Sequence, residues 1–165
     1  MKSILVSLIV MAGLAPAAFA DNEPAFAVGV VDALPLDRPA GTVSSTKATM
    51  LGIQVDAGLK GSPYSIKYQW RTGTVGGGLK ATEQNIYAVY NFAPLKDTIL
   101  PYAGLGYSRL SLTGNNANGL GWIVGGDVAL GKSIRAGVFY NGYDPANAVR
   151  VYNHFIGASL KYSFM

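Results

Sequence analysis

One histidine, nine carboxylates, thirteen basic side chains and no cysteine leave this 165-residue chain few routes to reactive chemistry. Without Cys there is no thiol nucleophile, no thiolate metal site and no disulfide. A Ser/His hydrolase would have to be built on His154, whose followers Phe155 and Ile156 bring no hydroxyl. No His or carboxylate cluster has metal-ligand spacing, and no cofactor motif is present. Gly76-Gly77-Gly78 lacks the Lys-Ser/Thr and following helix of a phosphate loop, and reads as a flexible hairpin loop. The remaining candidates are Asp56, Lys67, Arg71, Glu83, Asp127, Arg135 and Lys161. Each lies in a stretch where apolar and polar residues alternate, and each falls on the polar side.

Alternation at period two is the mark of a strand with unlike faces. It recurs along nearly the whole chain, so the elements that carry these charges are strands. Eight are expected, over 25–33, 47–59, 63–73, 82–93, 99–112, 120–130, 133–143 and 151–164. In the third, Tyr64, Ile66, Tyr68 and Trp70 oppose Ser65, Lys67, Gln69 and Arg71. In the last, Ile156, Ala158, Leu160, Tyr162 and Phe164 oppose Gly157, Ser159 and Lys161. The first strand shows no clear alternation. In the fifth, Ile99, Ala103, Leu105 and Tyr107 share one parity while Leu110 and Leu112 share the other. A bulge near Tyr107–Arg109 would reconcile them and turn Arg109 inward.

The connections alternate in character. Leu34–Thr46, Thr74–Ala81, Thr113–Gly119 and Asp144–Arg150 are longer or rich in Gly, Asn and Pro; Lys60-Gly61-Ser62 and Gly131-Lys132 are short. Short turns at one end, longer loops at the other and an even strand number fit an all-β, eight-stranded antiparallel up-and-down transmembrane β-barrel. Its apolar face meets lipid and its polar face fills the lumen. Composition agrees: 50% hydrophobic, only 13% charged, with 10 Tyr and 21 Gly. Met1-Lys2-Ser3, the apolar run Ile4 to Ala18 and the ending Ala18-Phe19-Ala20 predict a cleaved signal peptide over residues 1–20. Residues 21–165 then form one barrel domain. The net charge of +4, with no basic run, excludes nucleic acid as a partner.

The closing stretch Ala158 to Phe164, followed by Met165, resembles the carboxyl-terminal signature of bacterial outer-membrane barrels, which usually end in Phe. Pro101-Tyr102-Ala103-Gly104-Leu105-Gly106-Tyr107 resembles a Pro-Tyr-x-Gly-x-Gly-Tyr strand seen widely among them. In length and layout the chain is similar to outer membrane protein X and the opacity-type barrels. The resemblance implies residence in the bacterial outer membrane, in contact with lipids including lipopolysaccharide. It also implies external loops open to a host or envelope surface partner. A closed barrel with no unpaired edge favours a monomer, with dimers through exposed loops as the alternative. The resemblance specifies architecture rather than activity.

Trp70, Tyr102, Trp122, Tyr140, Tyr162 and Phe164 fall near strand ends, where amphipathic rings anchor at the membrane interface. The seven interior charges are read as a plugging ion-pair network, since an unpaired charge away from bulk water is costly. Inward glycines (Gly52, Gly58, Gly125, Gly137, Gly157) leave room for water and keep a narrow channel open as the alternative. Arg38, Lys47, Lys80, Arg109 and Arg150 lie in or beside the longer loops, where they could pair with lipid phosphates. Lipid A deacylases and palmitoyltransferases share this architecture, so a lipid-modifying enzyme is a third reading. The preferred one is a non-catalytic barrel with a structural or surface-interaction role.

Overall fold

The structure, a computed structural model, describes residues 26–36, 49–58, 62–75, 79–95, 98–113, 115–146 and 153–164. The signal peptide expected over residues 1–20, Gly76-Gly77-Gly78, Arg38, Lys47, Arg150 and Met165 lie outside these residues. Eight strands run in chain order: β1 (Phe26–Pro35), β2 (Thr49–Gly58), β3 (Tyr64–Val75), β4 (Leu79–Asn91), β5 (Ile99–Leu112), β6 (Asn115–Ala129), β7 (Ile134–Pro145) and β8 (His154–Phe164). Each pairs antiparallel with its chain neighbour, and β1 pairs with β8 to close the barrel. Closure leaves no edge with unpaired backbone groups.

The upper rim is the end where β1 finishes and β2 begins; the lower rim holds Phe26 and Phe164. Outward side chains are apolar from the lower rim upward and then switch. On β5 they run Ile99, Pro101, Ala103, Leu105 and Tyr107, then Arg109 and Ser111. On β4, Ile86 gives way to Gln84; on β6, Leu120 gives way to Asn118. At about 3.4 Å per residue and a tilt near 40°, the apolar run of β5 stands about 20 Å tall, close to the apolar band of transmembrane barrels.

β1 explains its own lack of alternation. Ala27, Val31 and Ala33 point in and are buried, while Phe26, Val28 and Val30 point out. Over Phe26 to Val31 both faces are apolar, so polarity does not separate them.

Two expectations fail here. β5 carries no bulge: it pairs without a break to β4 from Asn91↔Tyr102 to Ala81↔Leu112, and to β6 from Ile99↔Val128 to Leu112↔Asn115. Leu110 is therefore interior and fully buried, and Arg109 is exposed on the outer wall. The parity change instead marks where the inner face turns apolar and the outer face turns polar. The connection expected over Thr113–Gly119 is also mostly strand, because β6 starts at Asn115. Val75↔Leu79 likewise tightens the β3–β4 hairpin. β4, β5 and β6, of 13, 14 and 15 residues, consequently stand taller than β1 and β2, of 10 each.

Candidate functional site in the barrel interior

The lumen is filled in three layers. The lowest is a chain of opposite charges. Asp56 Oδ2 accepts from Lys67 Nζ and from Lys161 Nζ, each at 2.8 Å, and Lys161 reaches on to Asp127 Oδ2. Gln54 Nε2 donates to both Asp56 oxygens at 2.9 and 3.0 Å, and Gln69 Nε2 donates to Gln54 Oε1 at 2.8 Å. Arg135 is half-buried at the lower rim, where it lines a small open depression with Asp56, Lys67, Asp127 and Lys161.

The middle layer centres on Arg71, which has no exposed surface. Its Nη2 lies 2.5 Å from Glu83 Oε2 on β4 and 3.3 Å from Asn141 Oδ1 on β7. The guanidinium also faces the Phe155 and Phe139 rings, at 5.0 and 5.6 Å from their centres. Asn85 Nδ2 donates to Glu83 Oε1 at 2.9 Å, and Asn141 Nδ2 to Tyr87 Oη at 3.1 Å. Stacking and hydrogen bonding replace part of the hydration this ion pair loses.

The upper layer is apolar. Ala33, Met50, Val75, Ala81, Leu110, Ala117, Tyr143 and Phe155 are each at most 2% exposed and belong to one packed cluster. They come from β1 to β8 in turn, near the upper end of each strand. The lumen is thus polar and open at the lower rim and dry above Arg71.

Six of the seven expected interior charges form two connected groups, Asp56–Lys67–Lys161–Asp127 and Arg71–Glu83. Alternation puts Gln54, Gln69, Asn85, Tyr87 and Asn141 on the lumen side, but the expected network named charges alone; these neutral side chains and Ser108 are also part of it. Tyr102 departs from its expected interface position. It points into the lumen, 3% exposed, and its ring lies 4.4 Å from Lys67 Nζ. The parity of β5 had already put it opposite Ile99 and Ala103; its residue type suggested otherwise.

Three of the inward glycines, Gly125, Gly137 and Gly157, differ from their expected part, while Gly58 lines the depression at the lower rim. A Cβ at Gly125 would meet the Tyr102 hydroxyl and the Val138 carbonyl at 2.6 Å. One at Gly157 would strike the Phe139 ring, and one at Gly137 the Asp127 carboxylate. These positions make room for large interior side chains rather than for water.

Trp70, Trp122 and Tyr140 are half-buried on the outer wall; Tyr162 and Phe164 are exposed there. Ring contacts gather toward the two edges of the apolar belt. Below, Phe164 lies 5.6 Å from Phe26 and 5.1 Å from Tyr162. Above, Trp122 and Tyr140 are 5.0 Å apart, and His154 stacks on Tyr140 at 6.0 Å with planes 10° apart.

No protein-family model matches the sequence, and no curated protein sequence matches it either. Solved structures do. Neisserial surface protein A aligns over 85% of this chain and 97% of its own, with a TM-score of 0.59 and 19% identity. OprG, an outer membrane protein of Pseudomonas aeruginosa, aligns over 88% and 99%, with a TM-score of 0.55 and 15% identity. Ail, an outer membrane protein of Yersinia pestis, aligns over 86% and 100%, with a TM-score of 0.55 and 10% identity. The chain therefore has the fold of the small eight-stranded transmembrane barrels of bacterial outer membranes.

Proposed function

We propose that this protein is a non-catalytic integral barrel of the bacterial outer membrane with a structural or surface-interaction role, and that its lumen is closed to solutes. The upper rim faces outside and the lower rim faces the periplasm, since β1 starts and β8 ends at the lower rim and the short turns lie there. The observation that carries this reading is the dry upper layer. Met50, Val75, Leu110, Tyr143 and Phe155 pack above the Arg71–Glu83 pair, and each is 2% exposed or less. A rearrangement confined to the ion pairs below would leave this layer in place.

The place of His154 supports an anchoring role. It stacks on Tyr140 beside Trp122 on the outer wall, at the level where interfacial rings gather. The narrow channel remains the runner-up, favoured by the depression at the lower rim that reaches Lys161 and Asp127.

The deciding experiment refolds residues 21–165 in detergent, checks folding by heat-modifiable gel mobility, and records planar-bilayer conductance. A heat-modifiable species that carries no current is the expected result. Discrete openings in the same preparation would replace the closed barrel with the channel.

A further inference from the structure

Asp32 is a carboxylate on the lipid-facing wall. On the same outward face of β1, Val30 stands below it and Leu34 above it, 55% and 48% exposed. Its register partners, Leu51 of β2 and Ala158 of β8, also point outward. Thr49 Oγ1 donates to it at 2.5 Å, and among the described residues it forms no ion pair. No described Lys or Arg points outward from β1, β2 or β8. An ionisable side chain in such a wall calls for a partner from outside it.

The opposite wall carries the complement. β5 lies four strands from β1 in either direction round the barrel. Register followed from Asp32 through β2, β3 and β4 arrives at Ser111. Followed through β8, β7 and β6 it arrives at Pro101. The β5 residue at the height of Asp32 is therefore midway between them, Gly106, with Tyr107 next to it on the outward face. Asp32 leans up toward Thr49, and Tyr107 leans up in the same way: its hydroxyl accepts from Asn118 Nδ2 at 2.8 Å, which leaves the phenol proton to donate outward. Arg109 is exposed opposite Asn118 in register, and among the described residues it forms no ion pair. Lower on this wall the outward residues Ala88, Ala103 and Gly126 are small. A Cβ at Gly126 would have no atom nearer than 3.6 Å, so packing inside the barrel does not require a glycine there. Small residues let membrane-embedded surfaces approach closely.

We propose that copies of this barrel associate head to tail in the plane of the membrane, the β1 wall of one against the β5 wall of the next. Asp32 of the first copy accepts from the Tyr107 hydroxyl and the Arg109 guanidinium of the second, a charge-assisted contact at one height on both walls. Below it, Val30 packs toward the small residues of β4–β6. The two faces lie on opposite sides of the barrel, so each contact leaves one face of each kind open and the copies form rows rather than closed pairs. The inference rests on the membrane placement of the outer wall and departs from the monomer that a closed barrel favours.

The chain has no Cys, so single cysteines on the outer wall report the contact. Val30→Cys and Leu105→Cys lie within the belt on the two faces, and Ile66→Cys, on β3 between them, is the control. Each protein is refolded in detergent, checked by heat-modifiable mobility, mixed in pairs in phosphatidylcholine vesicles and oxidised with copper phenanthroline. A disulfide joining positions 30 and 105 is expected to exceed those joining 30 to 30, 105 to 105 and 30 to 66 about fivefold, as a head-to-tail contact requires. Asp32→Arg in the Val30→Cys protein is expected to remove the excess, and Arg109→Asp in the Leu105→Cys protein to restore it. A dominant product joining 30 to 30 overturns the head-to-tail arrangement in favour of a paired dimer. A yield between 30 and 105 no higher than between 30 and 66 leaves lipid against both walls and overturns the association. An excess that survives Asp32→Arg alone overturns the part given to Asp32. A wild-type chain that never becomes heat-modifiable in detergent overturns the membrane reading itself, and the proposal with it.

Discussion

Lys161, on the last strand, and Asp56, on the second, meet at 2.8 Å inside the lumen, 105 residues apart in sequence. The same carboxylate oxygen takes Lys67, and the same ammonium takes Asp127. Asp56 already faces Lys67 across β2 and β3, but its second cation, Lys161, arrives only when β8 closes against β1. Closure therefore joins separate ion pairs into one chain of charges.

Lys161→Met is expected to be strongly destabilising, because it removes the cation that Asp56 and Asp127 share inside the barrel. Breaking a buried pair from one side costs about 3–5 kcal/mol. The urea midpoint of the detergent-folded barrel reads the loss. The double variant Lys161→Met/Asp127→Asn is expected to recover much of it, since no net charge is then stranded. Equal losses in single and double variants would show that Lys161 acts through packing alone.

Glu83→Gln leaves the Arg71 guanidinium between Phe139 and Phe155 with no carboxylate beside it. A loss of about 3–5 kcal/mol follows from the same reasoning. The paired change Arg71→Met/Glu83→Gln is expected to be milder than Glu83→Gln alone. Unfolding monitored by gel mobility at graded temperature ranks the three proteins.

Tyr102→Phe removes a buried hydroxyl that has no hydrogen-bond partner among the described residues and keeps the ring against Lys67. Its expected effect on stability is within about 1 kcal/mol, or a small gain. Gly125→Ala forces a methyl group against that ring and the Val138 backbone, with a cost of about 1–3 kcal/mol from overpacking. A reversed order in unfolding midpoints would contradict the interior place of Tyr102.

Val138→Arg tests the lipid-facing belt. Val138 is 66% exposed near the middle of the apolar run of β7. A cation there is expected to cost about 2–4 kcal/mol in a bilayer, falling toward zero at the interface. Ser111→Arg, on the outward wall above the belt, serves as the near-neutral comparison. Refolding yields and denaturant midpoints in lipid vesicles separate the two. Equal effects would remove the membrane from the account of this face.

The closed lumen makes its own prediction about transport. Met50→Ala/Leu110→Ala hollows the apolar layer above Arg71 and leaves the Phe155 and Phe139 rings against the guanidinium in place. Measurable conductance is expected only in this variant, not in the wild type. Continued silence would place the barrier in the charged layers below.

Alternation, with the short and long connections between its runs, determined the strand number and the antiparallel meander, and alternation placed Asp56, Lys67, Arg71, Glu83, Asp127, Arg135 and Lys161 inward. A period of two ties each side chain to one wall whatever its partners are. What alternation cannot carry is height and partner choice. Those depend on how far each strand is shifted against its neighbour, which is a property of the closed sheet. Only the tertiary structure therefore paired Lys161 with Asp56 and Asp127, set Arg71 between Phe139 and Phe155, and separated a wet lower lumen from a dry upper one. The same dependence explains β5. Its sequence changes parity at Leu110 because the lumen turns apolar at the height where the outer wall turns polar. Two such switches at one level look, in one dimension, like a slip in the strand.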